Sequence, residues 1–246
     1  MSGATIFPSP AKALLTLLGL CLLTACASLP SPALPRGETA KSVTLTDGSH
    51  IGYMQYLPED LSAKKPVLIF LHGTGEIGTD VKLTTVHGPW KYTRAHPTEA
   101  PFIILAPQLR GEVEWNPAQL EDWLEKALKG LPVDRSRMYL TGMSRGGRGT
   151  WSWAIAYPKR FAAIAPVAGD SLYRDGACAL KDVPVWAFHG AKDDLVLYPP
   201  EEQFADQVRA CGGEVNYTLY PDGNHNSWDA AYSHPSLYAW LLTHKR

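Results

Sequence analysis

Ser144 stands between two glycines in Gly142-Met143-Ser144-Arg145-Gly146, a G-x-S-x-G spacing that could hold a serine hydroxyl out on a sharp turn. Serine becomes a nucleophile only when a base takes its proton and a third group orients that base. Candidates for both follow in chain order. Asp193 and Asp194 lie in Gly190-Ala191-Lys192-Asp193-Asp194, and His225 closes Pro221-Asp222-Gly223-Asn224-His225. Other chemistries lack their signatures. There is no Gly-Lys-Ser/Thr phosphate loop, no H-E-x-x-H and no C-x-x-C, and the histidines are scattered. No metal and no cofactor is therefore expected.

Glycine-flanked serines are common by chance, so the weight of this one depends on the elements around it. From Lys41 onward, short β-like runs alternate with longer helical patterns. SVTLT and HIGYMQY flank Asp47-Gly48, a hairpin signal. VLIFL (67–71), FIILA (102–106), MYLT (138–141), AIAPV (163–167), VWAFH (185–189) and NYTLY (216–220) follow. Several are continuously apolar, as strands buried on both faces of a parallel sheet must be. Helical patterns fall at about 118–130, 146–157, 200–211 and 236–244, with Pro158 and Gly212-Gly213 as stops. This predicts an α/β fold: eight strands in an open, mostly parallel sheet covered by helices on both faces. The longest crossover, 72–101, is too short for a separate lid domain. Ser144 then follows the fifth strand, Asp193 the seventh and His225 the eighth. All lie beyond the carboxyl ends of their strands, where such sheets place their sites.

With these residues in place, the chain resembles the α/β-hydrolase-fold serine esterases. The branch is that of the lidless dienelactone hydrolases, polyhydroxyalkanoate depolymerases and feruloyl esterases. The likeness runs over nearly all of 41–246 and includes LHGTGEIGTD at 71–80, APQ at 106–108, the Ser144 turn, FHGAKDD at 188–194 and YPDGNHNSWD at 220–229. It implies a serine hydrolase of carboxylic esters working through an acyl-enzyme. Such families place the acid in HGxxD, which selects Asp193 over Asp194, and His225 is the base. The resemblance also implies that His189 belongs to the loop framework. In His72-Gly73-Thr74-Gly75 the N–H of Thr74 is expected to join that of Arg145 as an oxyanion hole, with His72 structural. Glu76 and Asp80 read as solvated or loop-fixing groups rather than an acid pair. Trp151, Trp153, Trp186 and Trp240 read as packing residues. Trp90, Trp115 and Trp228 fall in loops on the active-site side, where they could stack on a substrate ring or pack the loops. The side chains of Arg145 and Arg148 could attract an anionic acyl group or pair with a loop carboxylate. Two other readings stand beside the esterase: a prolyl-oligopeptidase-like serine peptidase with the same triad, and a non-catalytic envelope binding protein on the same fold.

The N-terminus reads as a targeting segment. Lys12 precedes ALLTLLGLCLLTA, a run short for a membrane span. It ends at Leu23-Thr24-Ala25-Cys26, which resembles the bacterial lipobox. This implies a lipoprotein signal peptide over 1–25, lipidation at Cys26 and a lipid anchor in the bacterial cell envelope. With Ala27 next, outer-membrane sorting is expected, facing periplasm or exterior. Cleavage after Ala25 or Ala27 without an anchor is the alternative. The Pro-, Ser- and Ala-rich stretch over 26–40 reads as a tether, and 41–246 as the catalytic domain. In an exported protein Cys178 and Cys211 could form a disulfide or remain two buried thiols. Across 246 residues, 45% hydrophobic content gives material for a sizeable core, and a formal charge of −1 without a basic stripe gives no case for nucleic acid.

Overall fold

The computed structural model describes residues 1–3, 34–111 and 113–246. The chain divides into two units, Met1–Leu34 and Pro35–Arg246. The expected signal peptide, Cys26 and most of the tether lie outside the described residues, and the sheet and its helices belong to the second unit. No described helix is long and apolar enough to cross a membrane.

The sheet opens with β1 (Gly37–Thr44), antiparallel to β2 (His50–Leu57). Gly48 takes the left-handed φ of +85° that turns the chain at Asp47-Gly48. β1 begins within the stretch read as tether, so residues 37–40 are strand. Its side chains alternate between exposed and half-buried, a weak sequence signal that an edge strand tolerates because one side faces solvent. β2 is also antiparallel to β4 (Ile103–Pro107). The remaining strands are parallel: β3 (Lys65–Leu71), β5 (Val133–Met143), β6 (Ala163–Val167), β7 (Val185–Gly190) and β8 (Val215–Tyr220). Their order is β1-β2-β4-β3-β5-β6-β7-β8. This is the eight-stranded, mostly parallel sheet expected. β5 starts five residues earlier than the apolar run suggests; polar residues enter it beyond a register shift at Lys65 and Val67.

The helices are α1 (Trp90–Ala95), α2 (Pro117–Ala127), α3 (Arg145–Ala156), α4 (Tyr198–Ala210), α5 (Trp228–Tyr232) and α6 (Pro235–Thr243). α2 starts where Asn116 Oδ1 accepts from the Ala118 and Gln119 N–H groups, with Pro117 at the first position, where no N–H is missed. Strand alternation assigns the helices to the two faces of the sheet. Leu68 and Phe70 of β3 share a core with Trp90 and Tyr92 of α1, Tyr232 of α5 and Tyr238 and Leu241 of α6. Leu71, which points the other way, meets Gly149 of α3. Both faces are therefore covered, and the carboxyl ends of β3, β5, β7 and β8 stay open at one rim.

Candidate active site

Ser144 occupies the single residue between β5 and α3. Its backbone sits at φ 53°, ψ −118°, a region that costs a non-glycine residue of order 1–3 kcal/mol. Sheet and helix hold it there: its N–H donates to Val167 O at 2.9 Å and its carbonyl accepts from Arg148 N–H at 3.1 Å. The flanking glycines permit this. A Cβ on Gly142 would strike the carbonyl of Gly146, and one on Gly147 would come within 2.7 Å of Val167 O.

His225, on the loop after β8, brings Nε2 to 2.9 Å from Ser144 Oγ and Nδ1 to 2.7 Å from Asp193 Oδ2. An ionised carboxylate only accepts, so Nδ1 carries the proton and Nε2 is left to accept the serine hydroxyl. Asp193, on the loop after β7, has a fully buried side chain. Its Oδ1 accepts from the N–H groups of Leu195 at 3.0 Å and Val196 at 2.9 Å. Asp194 faces solvent. The structure thus brings Ser144, His225 and Asp193 into one hydrogen-bonded line and leaves Asp194 out of it.

Thr74 begins a one-turn 3-10 helix after β3, and Arg145 is the first residue of α3. Each N–H therefore lacks a helical acceptor by position. The two are drawn together, since Arg145 Nε donates to Thr74 Oγ1 at 3.1 Å and a Cβ on Gly73 would lie 3.5 Å from Ser144 Cβ. The Thr74 loop is fixed from behind. Glu76 Oε2 accepts from Gly73 N–H at 3.0 Å, and burial raises the Glu76 pKa above the usual carboxylate range. Glu76 is buried, so of its two expected roles it takes the loop-fixing one; Asp80 caps the next turn by accepting from Lys82 N–H at 3.1 Å. His72 donates through Nδ1–H to Gly73 O at 2.6 Å and accepts Leu109 N–H at Nε2 at 3.0 Å. Burial pushes its pKa down to about 4, so it stays neutral.

These groups surround a cleft of about 470 Å³ lined by Thr74, Glu76, His87, Ser144, Leu195 and Trp228. Of the three loop tryptophans, only Trp228 reaches it, edge-on to His225 with ring centroids 5.1 Å apart. Trp90 is 1% exposed in the α1 core and offers no surface to a ligand. Trp115 is buried against His72, donating Nε1–H to His72 O at 3.4 Å, which makes it a support for the Thr74 loop. His87, in the long crossover, lines the cleft and was not among the expected site residues; a histidine among loop residues carries no periodic signal. The arginines are engaged rather than free. Arg145 Nη1 donates to Val113 O at 3.0 Å, and Arg148 forms ion pairs with Glu114 and Asp170, both at 3.2 Å. Both tie loops together, Arg148 through two carboxylates and Arg145 through a hydroxyl and a backbone carbonyl.

Away from the cleft, Cys178 and Cys211 are bonded, with Cα atoms 5.1 Å apart. No group of three or more His, Cys, Asp or Glu side chains among the described residues could hold a metal ion.

The strand order and the serine turn between β5 and α3 define an α/β-hydrolase fold. A solved thermostable esterase superposes with a TM-score of 0.77 at 28% identity, covering 85% of this chain and 63% of the other. No known family profile matches the chain. It is 26% identical over 196 residues to the bifunctional acetylxylan esterase/xylanase of Neocallimastix patriciarum, covering 75% of this chain and 27% of that protein. It is 26% identical over 230 residues to a probable feruloyl esterase C of Aspergillus niger, covering 87% of this chain and 81% of the relative. The chain therefore spans about a quarter of the first of these relatives and most of the second.

Proposed function

We propose that the chain is a serine hydrolase of carboxylic esters. The observation that carries this reading is the line from Ser144 Oγ through His225 to Asp193, with contacts of 2.9 and 2.7 Å, standing at a strained turn on the rim of the sheet. Ser144 attacks the ester carbonyl as His225 Nε2 takes its proton. Asp193 holds the imidazole in the required tautomer and stabilises the imidazolium. The tetrahedral oxygen is received by the N–H groups of Thr74 and Arg145, each such donor being worth about 3 kcal/mol in the transition state. His225 then protonates the leaving alcohol. Water repeats the sequence on the acyl-enzyme and releases the acid.

The open cleft suits soluble esters, and the two relatives make acetyl and feruloyl esters of sugars the first to screen. Trp228, which lines the cleft beside His225, is placed to contact such a substrate. The lipobox-like stretch ending at Cys26 supports a lipid anchor on a mature chain that starts there, within the bacterial envelope. Mass spectrometry of the N-terminal peptide from a membrane fraction tests that part: a diacylglyceryl adduct on Cys26 supports it, and an unmodified mature terminus ends it.

Hydrolysis of p-nitrophenyl acetate and methyl ferulate by the purified mature domain tests the activity. Ser144→Ala should lower kcat by about 10³-fold or more. Asp193→Asn, which favours the wrong tautomer of His225, should lower it on the order of 10³–10⁴-fold. Undiminished turnover by Ser144→Ala would remove the assignment.

A further inference from the structure

Behind Asp193, on the side away from His225, stands a second histidine. His189, near the end of β7, is fully buried. Its Nε2 lies 2.8 Å from Val196 O and 3.1 Å from Asp193 Oδ2, and its Nδ1 lies 2.5 Å from Glu201 Oε2. A backbone carbonyl cannot donate, so Nε2 carries a proton and directs it at Val196 and Asp193 together. Glu201 comes from α4 and is itself fully buried; its Oε1 accepts Trp151 Nε1–H at 2.9 Å. Burial works against charge on His189, but the adjoining Glu201 carboxylate outweighs it and holds the imidazole above its ordinary pKa. Burial likewise raises Glu201, against the opposing hydrogen bond from His189. The pair holds one proton along its short bond. Wherever that proton sits, the Nε2–H still points at Asp193.

Asp193 Oδ2 is therefore shared by two N–H donors, His225 at 2.7 Å and His189 at 3.1 Å, while Oδ1 takes two backbone N–H groups. Four donors fill the acceptor sites of one carboxylate, and of the two imidazoles only His225 lines the cleft. A histidine serving only the loop framework would need Val196 O and packing. It would not need a fully buried glutamate, itself held by a tryptophan, to fix its tautomer, since a buried carboxylate is costly unless it is paired.

We propose that His189, held by Glu201, is a positioning residue for the site. Its Nε2–H sets Asp193 Oδ2 beneath His225 Nδ1 and competes for the same oxygen, which limits how tightly Asp193 grips the imidazole. The catalytic purpose rests on the hydrolase reading; the coupling of His189 to His225 does not. Asp170 and Tyr217 are the charged or titratable groups that act on Glu201 from beyond this line, and Glu202, Tyr198 and Arg209 surround Tyr217. Glu76, His87 and Arg148 share the cleft with His225.

Three variants separate positioning from packing. His189→Leu removes the donor. His189→Gln restores an N–H donor at the ε position, with hydrogens for both Val196 and Asp193. Glu201→Gln can donate an amide N–H to Nδ1 and keep Trp151 while deleting the shared proton. The first readout is the low-field NMR resonance of His225 Nδ1–H, which needs no substrate; the second is the pH profile of kcat/KM on p-nitrophenyl acetate. In His189→Leu the resonance should move further downfield as the competing donor goes. The acid limb should move to higher pH by on the order of half a unit. kcat should fall between about 10- and 100-fold, with KM within about twofold. His189→Gln and Glu201→Gln should return the resonance and the profile close to wild type. If His189→Leu does not fold, His189→Asn takes its place and must show the same shifts, because its amide reaches Glu201 and falls short of Asp193. A folded donor-less variant with unchanged resonance and profile overturns the proposal, as does a His189→Gln as impaired as His189→Leu. If the resonance moves as stated but no form of the protein hydrolyses an ester, the hydrolase reading fails and the coupling stands.

Discussion

Gly146 lies directly against the carbonyl oxygen of Leu71: a methyl group on its Cα would collide with that oxygen and come within 2.7 Å of His72 O. The contact locks the first turn of α3 onto the end of β3, which places the Arg145 N–H and the Thr74 loop on the same side of Ser144.

Gly146→Ala should therefore push α3 away from β3. A loss of about 1–3 kcal/mol is expected from overpacking, together with a fall in kcat of at least about tenfold as Ser144 and the Arg145 N–H move out of alignment. Gly111→Ala is the control, because a Cβ there meets nothing within 4 Å. It should stay within about 0.5 kcal/mol of wild type. Urea melts and initial rates on one ester check both, and equal stability of the two variants would contradict the close-packing argument.

His72 makes stability depend on acid. The unfolded chain binds a proton on this imidazole near pH 6.5, and the folded chain only near 4, because burial opposes the charge. Between those values the unfolded state holds more protons, so the contribution is whole above about pH 6.5 and falls as pH drops towards 4. The loss amounts to about 3 kcal/mol at most. His72→Asn keeps a donor for Gly73 O and cannot titrate. The stability gap between wild type and this variant should shrink steadily from pH 6.5 to 4 in urea melts, and a constant gap would refute the assignment.

The Cys178–Cys211 bond closes a loop with a sequence separation of 33, tying the turn after β6 to the end of α4. Loop closure of that size is worth about 3–4 kcal/mol. Reduction, or a Cys178→Ala, Cys211→Ala double variant, should lower Tm by several degrees and leave kcat at 25 °C within about twofold, since neither cysteine lines the cleft. Loss of activity without loss of Tm would show that the bond shapes the site.

The parts of the fold legible in the sequence were those where periodicity and chemistry agree. The apolar runs of β3, β5, β6 and β7 and the proline-bounded helices announce themselves because burial on both faces demands continuous hydrophobic residues. Ser144, Asp193 and His225 could be placed at strand ends for the same reason. Short or half-exposed elements were harder to read. β1 reaches back to Gly37 on alternating half-buried residues, and α1 and α5 are too short to show a helical repeat. Nor does a sequence say which way a loop indole turns: Trp90 and Trp115 point inward, and only Trp228 reaches the cleft. The bond from His189 to Glu201 was invisible because it joins β7 to α4 through side chains with no shared pattern. Arg145, whose charged side chain reads equally as a contact for an anionic acyl group or as a partner of a loop carboxylate, is bonded to Thr74 and Val113.

The central claim is that Ser144 is an activated nucleophile in the folded protein. The most direct measurement is mass spectrometric mapping of the adduct formed with a fluorophosphonate probe. The account predicts one adduct, on the peptide carrying Ser144, absent from heat-unfolded protein and strongly reduced in His225→Ala. A folded protein that takes up no probe, or takes it up on a different serine, would contradict it.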